Sequence, residues 1–243
     1  MQHGLELRLS RIETLWTLVR HAHDDAGSVR SAQEKLLERY GGAVRRYLLG
    51  AVRDADVADE LFQEFACRLV GGNLGGADPA RGRFRDFVKG VLFHLVADHH
   101  KRKQREPGGL AGNLPEPAVF DAEPDLDSRF LESWREELLA RAWAALEAVA
   151  EETGQPFFCV LRFRAEHPRL RSEEMAAEIG KQLGRSVSAA NVRQLLHRAR
   201  DRFADLVLEE VLDSLDRPTT EALEQELIDL GLLEYCRPAL ERR

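Results

Sequence analysis

Ser172-Glu173-Glu174-Met175-Ala176-Ala177-Glu178-Ile179-Gly180-Lys181-Gln182-Leu183-Gly184, followed by Arg185-Ser186-Val187-Ser188 and a basic run from Ala189 to about Val207, reads as a helix, a tight turn and a second helix. In the second helix Val192, Leu195, Leu196, Ala199 and Phe203 recur at three- and four-residue spacing, the mark of a face that a packed helix buries. Arg193, Gln194, His197, Arg198 and Arg200 fall on the other face, and Ser188 and Asn191 stand at its start. A turn-linked helix pair with a cationic, hydrogen-bonding outer face suits a DNA major groove. Those seven residues are therefore candidate DNA contacts. The competing reading is a solvated arginine-rich helix in a bundle, and the helix alone does not choose between the two.

Working outward, the 243 residues suffice for one large or two small domains, and the patterning favours two. With 44% apolar and 32% charged residues the chain reads as soluble and able to bury real cores. No apolar run approaches a membrane span, and Met1 to Ser10 has no apolar signal-peptide core. Cys67, Cys159 and Cys236 are far apart and odd in number, which argues against a disulfide framework or zinc site and for a reducing cytoplasm. The net charge of −7 hides an uneven distribution. From Arg81 to Arg105 eight Lys or Arg face two Asp, giving +6, and from Arg185 to Arg202 five Arg face one Asp, giving +4. From Asp205 onward eleven acids face four arginines, giving −7. Local patches, not the net value, steer phosphate contacts.

No run has the period of a strand. Leu36, Leu37, Tyr40, Val44, Tyr47 and Leu48 predict a helix near Arg30 to Leu49, interrupted by Gly41-Gly42, since each glycine costs about 1 kcal/mol against Ala in a helix. Val57, Leu61, Phe65 and Leu69, flanked by Ala58, Phe62 and Ala66, predict a second helix, with Asp54 and Asp56 at its start and Gly71-Gly72 at its end. Gly75-Gly76 to Pro79 reads as a loop. A third helix runs from about Arg83 to Gln104 on the stripe Phe84, Phe87, Val88, Val91, Leu92, Leu95 and Val96. The stretch from Glu106 to about Asp127, with four prolines, three glycines and several acids, reads as a linker. Helices resume over about Phe130 to Glu152 and Pro156 to Glu166, and His167-Pro168 breaks the second of these. After Arg217-Pro218, Thr219 or Thr220 caps a last amphipathic helix through Leu230, ended by Gly231. The expectation is an all-α fold of two small helical domains joined by a flexible linker, the second containing a helix-turn-helix.

Two further surfaces carry chemistry. Asp59, Glu60, Gln63 and Glu64 lie on exposed faces of the second helix, a carboxylate cluster suited to a cationic partner helix; a solvated acidic face is the commoner fate of such clusters. Arg83, Arg85, Lys89, His94, Asp98, Lys101, Arg102 and Arg105 punctuate the third helix. Its cations suit phosphates, and its polar side chains suit the edges of unstacked bases. Phe93 falls off the buried stripe and either stacks on a base or, as is commoner, packs under a loop. The spacings of His94, His99 and His100 do not set two imidazoles on one helix face, and His21 and His23 are no better placed, so no metal is assigned. No acid–base, nucleophile or phosphate-loop pattern is present. The expectation is no cofactor and no enzyme.

Three local strings then share one resemblance. Asp56-Val57-Ala58-Asp59-Glu60-Leu61-Phe62-Gln63-Glu64-Phe65 resembles the polymerase-binding helix of extracytoplasmic-function sigma factors, of the sigma-70 family. Asp78-Pro79-Ala80-Arg81-Gly82-Arg83-Phe84-Arg85-Asp86-Phe87 followed by Ala97-Asp98-His99-His100-Lys101-Arg102 resembles their promoter-melting helix. Asn191-Val192-Arg193-Gln194-Leu195-Leu196-His197-Arg198-Ala199-Arg200 resembles their −35-reading helix. The likeness spans about Arg30 to Val207, with the three motifs in the family's order. The opening Thr14 to Val19 and the long tail resemble the longer sigma-like proteins of planctomycete-type bacteria. The chain departs from the family at Glu60, where Asp is usual, at His94, where Asn is frequent, and at Gln194, where a small residue is common.

The resemblance implies a cytoplasmic bacterial initiation factor that works with core RNA polymerase on promoter DNA, with an anti-sigma factor as a further partner the family allows. It implies a division into an N-terminal helical extension (1–28), a polymerase-binding and −10-melting domain (29–106), an acidic linker (107–128), a −35-binding domain (129–207) and an acidic extension (208–243). Two other readings stand beside it: a sigma-derived interaction module without initiation activity, and a helix-turn-helix regulator. The tail, apolar along Leu223, Leu227, Leu230 and Leu233 and acidic elsewhere, either completes a core or docks on a basic DNA-binding face and masks it.

Overall fold

The computed structural model describes residues 26–70, 83–105, 123–215 and 219–243, and every regular element among them is an α-helix. In chain order these are α1 (Ala26–Val52), α2 (Ala55–Val70), α3 (Phe84–Arg105), α4 (Glu123–Thr153), α5 (Phe157–Glu166), α6 (Ser172–Gln182), α7 (Ala189–Ser214), α8 (Thr220–Asp229) and α9 (Leu233–Glu241). The expectations placed on residues 1–25, on Gly71 to Gly82, on 106–122 and on Arg217-Pro218 lie outside the described residues. Two compact units emerge. One takes the described residues up to Glu137 together with Leu212–Leu230, the other Leu138–Val211 with Gly231–Arg243. The divide therefore passes through α4 and through α7.

In the first unit α1, α2, α3 and the start of α4 bury the stripes that their sequences set out. Leu36, Tyr40, Val44, Tyr47 and Leu48 of α1, Ala58, Leu61, Phe65 and Leu69 of α2, and Phe84, Val88, Leu92, Leu95 and Val96 of α3 are all buried. Tyr40 stacks on Trp134 of α4 with ring centroids 4.4 Å apart, and Tyr47 meets Phe130 edge-on at 5.5 Å. Arg53 ends α1 with a positive φ of 54°, and the Asp54 carboxylate then accepts from the Asp56 and Val57 N–H groups to cap α2.

Two expectations are corrected in this unit. Helix α1 runs through Gly41-Gly42 without a break. A Cβ at Gly41 would stand 3.4 Å from the Phe62 ring, and one at Gly42 would collide with the Glu137 carboxylate, so the glycines let α2 and α4 approach the α1 backbone. That close packing offsets their poor helix propensity. Helix α4 starts at Glu123, inside the stretch read as linker. Pro124 is its second residue, where the missing N–H would have no intrahelical partner in any case. A proline that reads as a breaker is here a helix start.

Helix α8 also belongs to the first unit. Thr219 caps it by accepting from the Ala222 N–H at 3.1 Å, Leu223, Leu227 and Leu230 are buried, and Gly231 follows at φ 66°. In the second unit Leu138, Ala142 and Leu146 of α4 and Val160 and Leu161 of α5 are buried, as are Met175 and Ile179 of α6 and Cys236 and Ala239 of α9. The Trp143 ring lies 4.7 Å from Phe203 and 6.0 Å from Phe158. Arg242 reaches the Asp201 and Asp205 carboxylates at 3.5 and 3.3 Å, which ties the end of the chain to α7.

Candidate nucleic-acid interface

Helices α6 and α7 follow one another across residues 183–188. Glu174 accepts from the Arg171 N–H at 2.7 Å and so caps the start of α6. At its end the Gly184 N–H donates to the Lys181 carbonyl and the Arg185 N–H to the Gly180 carbonyl, the paired bonds of a Schellman motif. Gly184 supplies the left-handed residue at φ 63°. At Gly180 a Cβ would stand 2.9 Å from the Arg185 carbonyl oxygen, so the reversal is too close for a side chain there.

Ser188, a candidate DNA contact, is exposed, and its Oγ accepts from the Asn191 N–H at 3.1 Å and caps α7. Val192, Leu195, Leu196, Ala199 and Phe203 are buried, as their spacing requires. Asn191, Arg193, Gln194, His197, Arg198 and Arg200 are all exposed. The Arg198 guanidinium lies over the Phe157 ring at 5.3 Å, and His197 Nδ1 sits 3.4 Å from the Asp201 carboxylate. The N-terminal half of α7 is thus apolar inside and cationic outside, with the positive end of its dipole beside the basic residues. Helix α7 continues past the expected end near Val207 to Ser214, and from Phe203 onward it is buried on most sides through Leu206, Leu208, Val211 and Leu212.

The candidate residues of α3 divide sharply. At its C-terminal end Lys101, Arg102 and Arg105 are exposed, and further back along the helix so are Asp98 and His94. His94 Nδ1 lies 2.6 Å from the Gly90 carbonyl, and Phe93 is half-buried with its ring edge-on to His94. Burial, with His99 and Lys103 nearby, lowers the His100 pKa. At the N-terminal end the candidate cations are paired with carboxylates. Arg83 Nη1 lies 2.5 Å from Glu226 and 2.6 Å from Asp229 of α8. Arg85 is buried, with Nη2 3.1 Å from Asp229 and 3.3 Å from Glu226. Lys89 faces Asp127 at 3.3 Å.

Burial and ion pairing shift Glu226, Asp229 and Arg83 of this clamp. Burial raises the Glu226 pKa above its ordinary value despite the pull of Arg85 and Arg83. At Asp229 burial also acts to raise the pKa, but the hydrogen bonds from Gln225, Arg83 and Arg85 outweigh it and the net shift is downward. Burial acts to lower the Arg83 pKa, and its hydrogen bonds to Asp229 and Glu226 reverse that. Arg85 Nε and Nη1 are buried with no hydrogen-bond partner among the described residues.

On α2, Glu60 and Gln63 are exposed, while Asp59 and Glu64 are engaged. Asp59 pairs with Arg45 at 2.8 Å, and Glu64 pairs with Arg68 at 2.6 Å and faces Arg102 at 3.5 Å. The sequence did not reveal Glu226 and Asp229 as partners of Arg83 and Arg85. Its one available signal was the acidic stripe of the tail, which says that a cation is wanted but not which one. Among the described residues no group of three or more His, Cys, Asp or Glu is placed to hold a metal ion, and no helix is long and apolar enough to cross a membrane.

Compared with family models, with curated proteins and with solved structures, the chain matches none of them.

Proposed function

We propose that this chain is a sigma-type transcription initiation factor of the extracytoplasmic-function kind. In this reading α6, the turn after it and α7 form a helix-turn-helix, and α7 enters the major groove of a −35 element. The observation that carries the proposal is the outer face of α7: Asn191, Arg193, Gln194, His197, Arg198 and Arg200 are exposed together on a helix whose opposite face is buried. The basic C-terminal end of α3, with Lys101, Arg102 and Arg105, holds the backbone of the melted −10 region. The α2 face around Glu60 and Gln63 meets core RNA polymerase. On this reading the protein is not an enzyme by itself, works in the cytoplasm and needs no cofactor.

Run-off transcription tests it. The chain with core RNA polymerase should produce a discrete transcript from its own upstream DNA, and Arg193→Ala with Arg198→Ala should abolish promoter preference. Co-purification with polymerase but no transcript in any form would favour a sigma-derived interaction module. Sequence-specific DNA binding with no polymerase association would favour a helix-turn-helix regulator.

A further inference from the structure

The clamp of Arg83 and Arg85 on Glu226 and Asp229 joins residues 141 to 146 positions apart in the chain. It is a costly way to hold a helix. Leu223, Leu227 and Leu230 already give α8 a buried apolar stripe. Into that stripe the sequence inserts Glu226, 1% exposed, against Arg85, 5% exposed. Desolvating such ions takes back much of their attraction, and apolar residues of similar size commonly serve stability as well or better. Stability therefore does not account for the choice of charges.

The clamp is also incomplete and has an open side. Arg85 engages Glu226 and Asp229 through Nη2 alone and leaves Nε and Nη1 without a hydrogen-bond partner among the described residues. The two non-bridging oxygens of a backbone phosphodiester match the guanidinium fork, which this arrangement engages through one nitrogen only. Arg83 and Asp229 are 31% and 29% exposed, so a competing anion can reach the pair from solvent. The arginines lie at the start of α3, the helix whose far end carries the exposed Lys101, Arg102 and Arg105.

We propose that α8 is an intramolecular acidic strap that occupies Arg83 and Arg85 in place of nucleic-acid phosphate, so that α3 presents its full basic surface only when Glu226 and Asp229 let go. This rests on the reading of α3 as a nucleic-acid-contacting helix. The ligand that displaces the strap is a single-stranded DNA backbone.

The test uses the full chain and a fluorescein-labelled single-stranded oligodeoxynucleotide, with binding read by anisotropy across a salt series. E226Q/D229N removes both negative charges and keeps the side-chain shapes. It should bind about tenfold more tightly at low salt, and its plot of log affinity against log salt should steepen by about 1.4 for two added phosphate contacts. Adding Arg83→Ala should remove most of the gain. D229N alone, at a partly exposed position, should show a smaller gain and keeps the test sound should the double variant fail to melt cooperatively. Affinity and salt slope unchanged in a folded variant would overturn the strap, as would a gain that persists in full with Arg83→Ala. Run-off transcription separates this from the functional reading. A gain in oligonucleotide binding without any transcript leaves the strap and removes the sigma reading; a transcript without any gain does the reverse.

Discussion

Two stretches of this protein carry similar charge in sequence and opposite fates in structure. Arg193 and Arg200 of α7 are exposed opposite a buried stripe. Arg83 and Arg85 stand at the start of α3 in a stretch of the same basic character, yet each is held by carboxylates from a helix more than 140 residues away. In α7 the apolar positions alone fix which way the arginines point. In α3 the phase of the stripe puts Arg85 next to Phe84 at the edge of the core, and only the arrival of α8 makes burying it tolerable. A cluster of cations in sequence therefore identifies a surface, but not whether that surface is already neutralised.

The largest test of this contrast is Arg85→Ala. It leaves Glu226 buried with one of its two cations gone, and loss of a partner from a buried pair costs about 3–5 kcal/mol. Urea unfolding should show it, and a loss under about 1 kcal/mol, the range of exposed pairs, would mean that the clamp is not a buried one. Leu195→Ala should follow closely, at about 2–5 kcal/mol, because it opens a cavity under the α7 stripe. An unchanged midpoint would break the assignment of inner and outer faces.

Arg193→Ala, on the exposed side, should change stability by no more than about 0.5 kcal/mol. If it reads a base, it should nevertheless cost about 1–3 kcal/mol in discrimination between promoter sequences. Comparing its binding to matched and mismatched duplexes measures that directly. Equal losses on both duplexes would reduce Arg193 to a phosphate contact.

The smallest effect is the pH dependence of the clamp. The folded-state pKa of Glu226 is raised above its ordinary value of 4.5 by burial, so the native state holds its proton more tightly than the unfolded chain. Its contribution is fully present below pH 4.5 and is lost as pH rises through the raised value. Asp229 acts in the opposite sense: its pKa lies below the ordinary 3.8, so its contribution is present above that pH and is lost as pH falls through the lowered value. As pH rises from about 4.5, the stability that E226Q gains relative to the unsubstituted chain should therefore grow, because Gln carries no proton to lose. Parallel curves would mean that the two arginines cancel the burial of Glu226 completely.

The helices themselves were largely legible. The α7 stripe, the α2 stripe, the cap at Asp54, the cap at Thr219 and the stop at Gly231 all follow from local chemistry, because spacing and capping act within a few residues. What local reading missed turns on neighbours. Gly41-Gly42 reads as a break until Phe62 and Glu137 are seen to fill the space that a side chain would take. Pro124 reads as linker until it is seen to be the second residue of α4. Of the candidate interface, the outer face of α7 was readable because amphipathic periodicity fixes both faces at once. The open or occupied state of Arg83, Arg85, Asp59 and Glu64 was not, since long-range ion pairs leave no periodic trace.

The sequence by itself determined the helices and the faces they bury, because the hydrophobic effect acts on a pattern already written at three- and four-residue spacing. Only the tertiary structure decided which charges meet. Coulombic pairing depends on distance in space, and the residues that close on one another at Arg83, Arg85, Glu226 and Asp229 are brought together by the fold rather than by the chain.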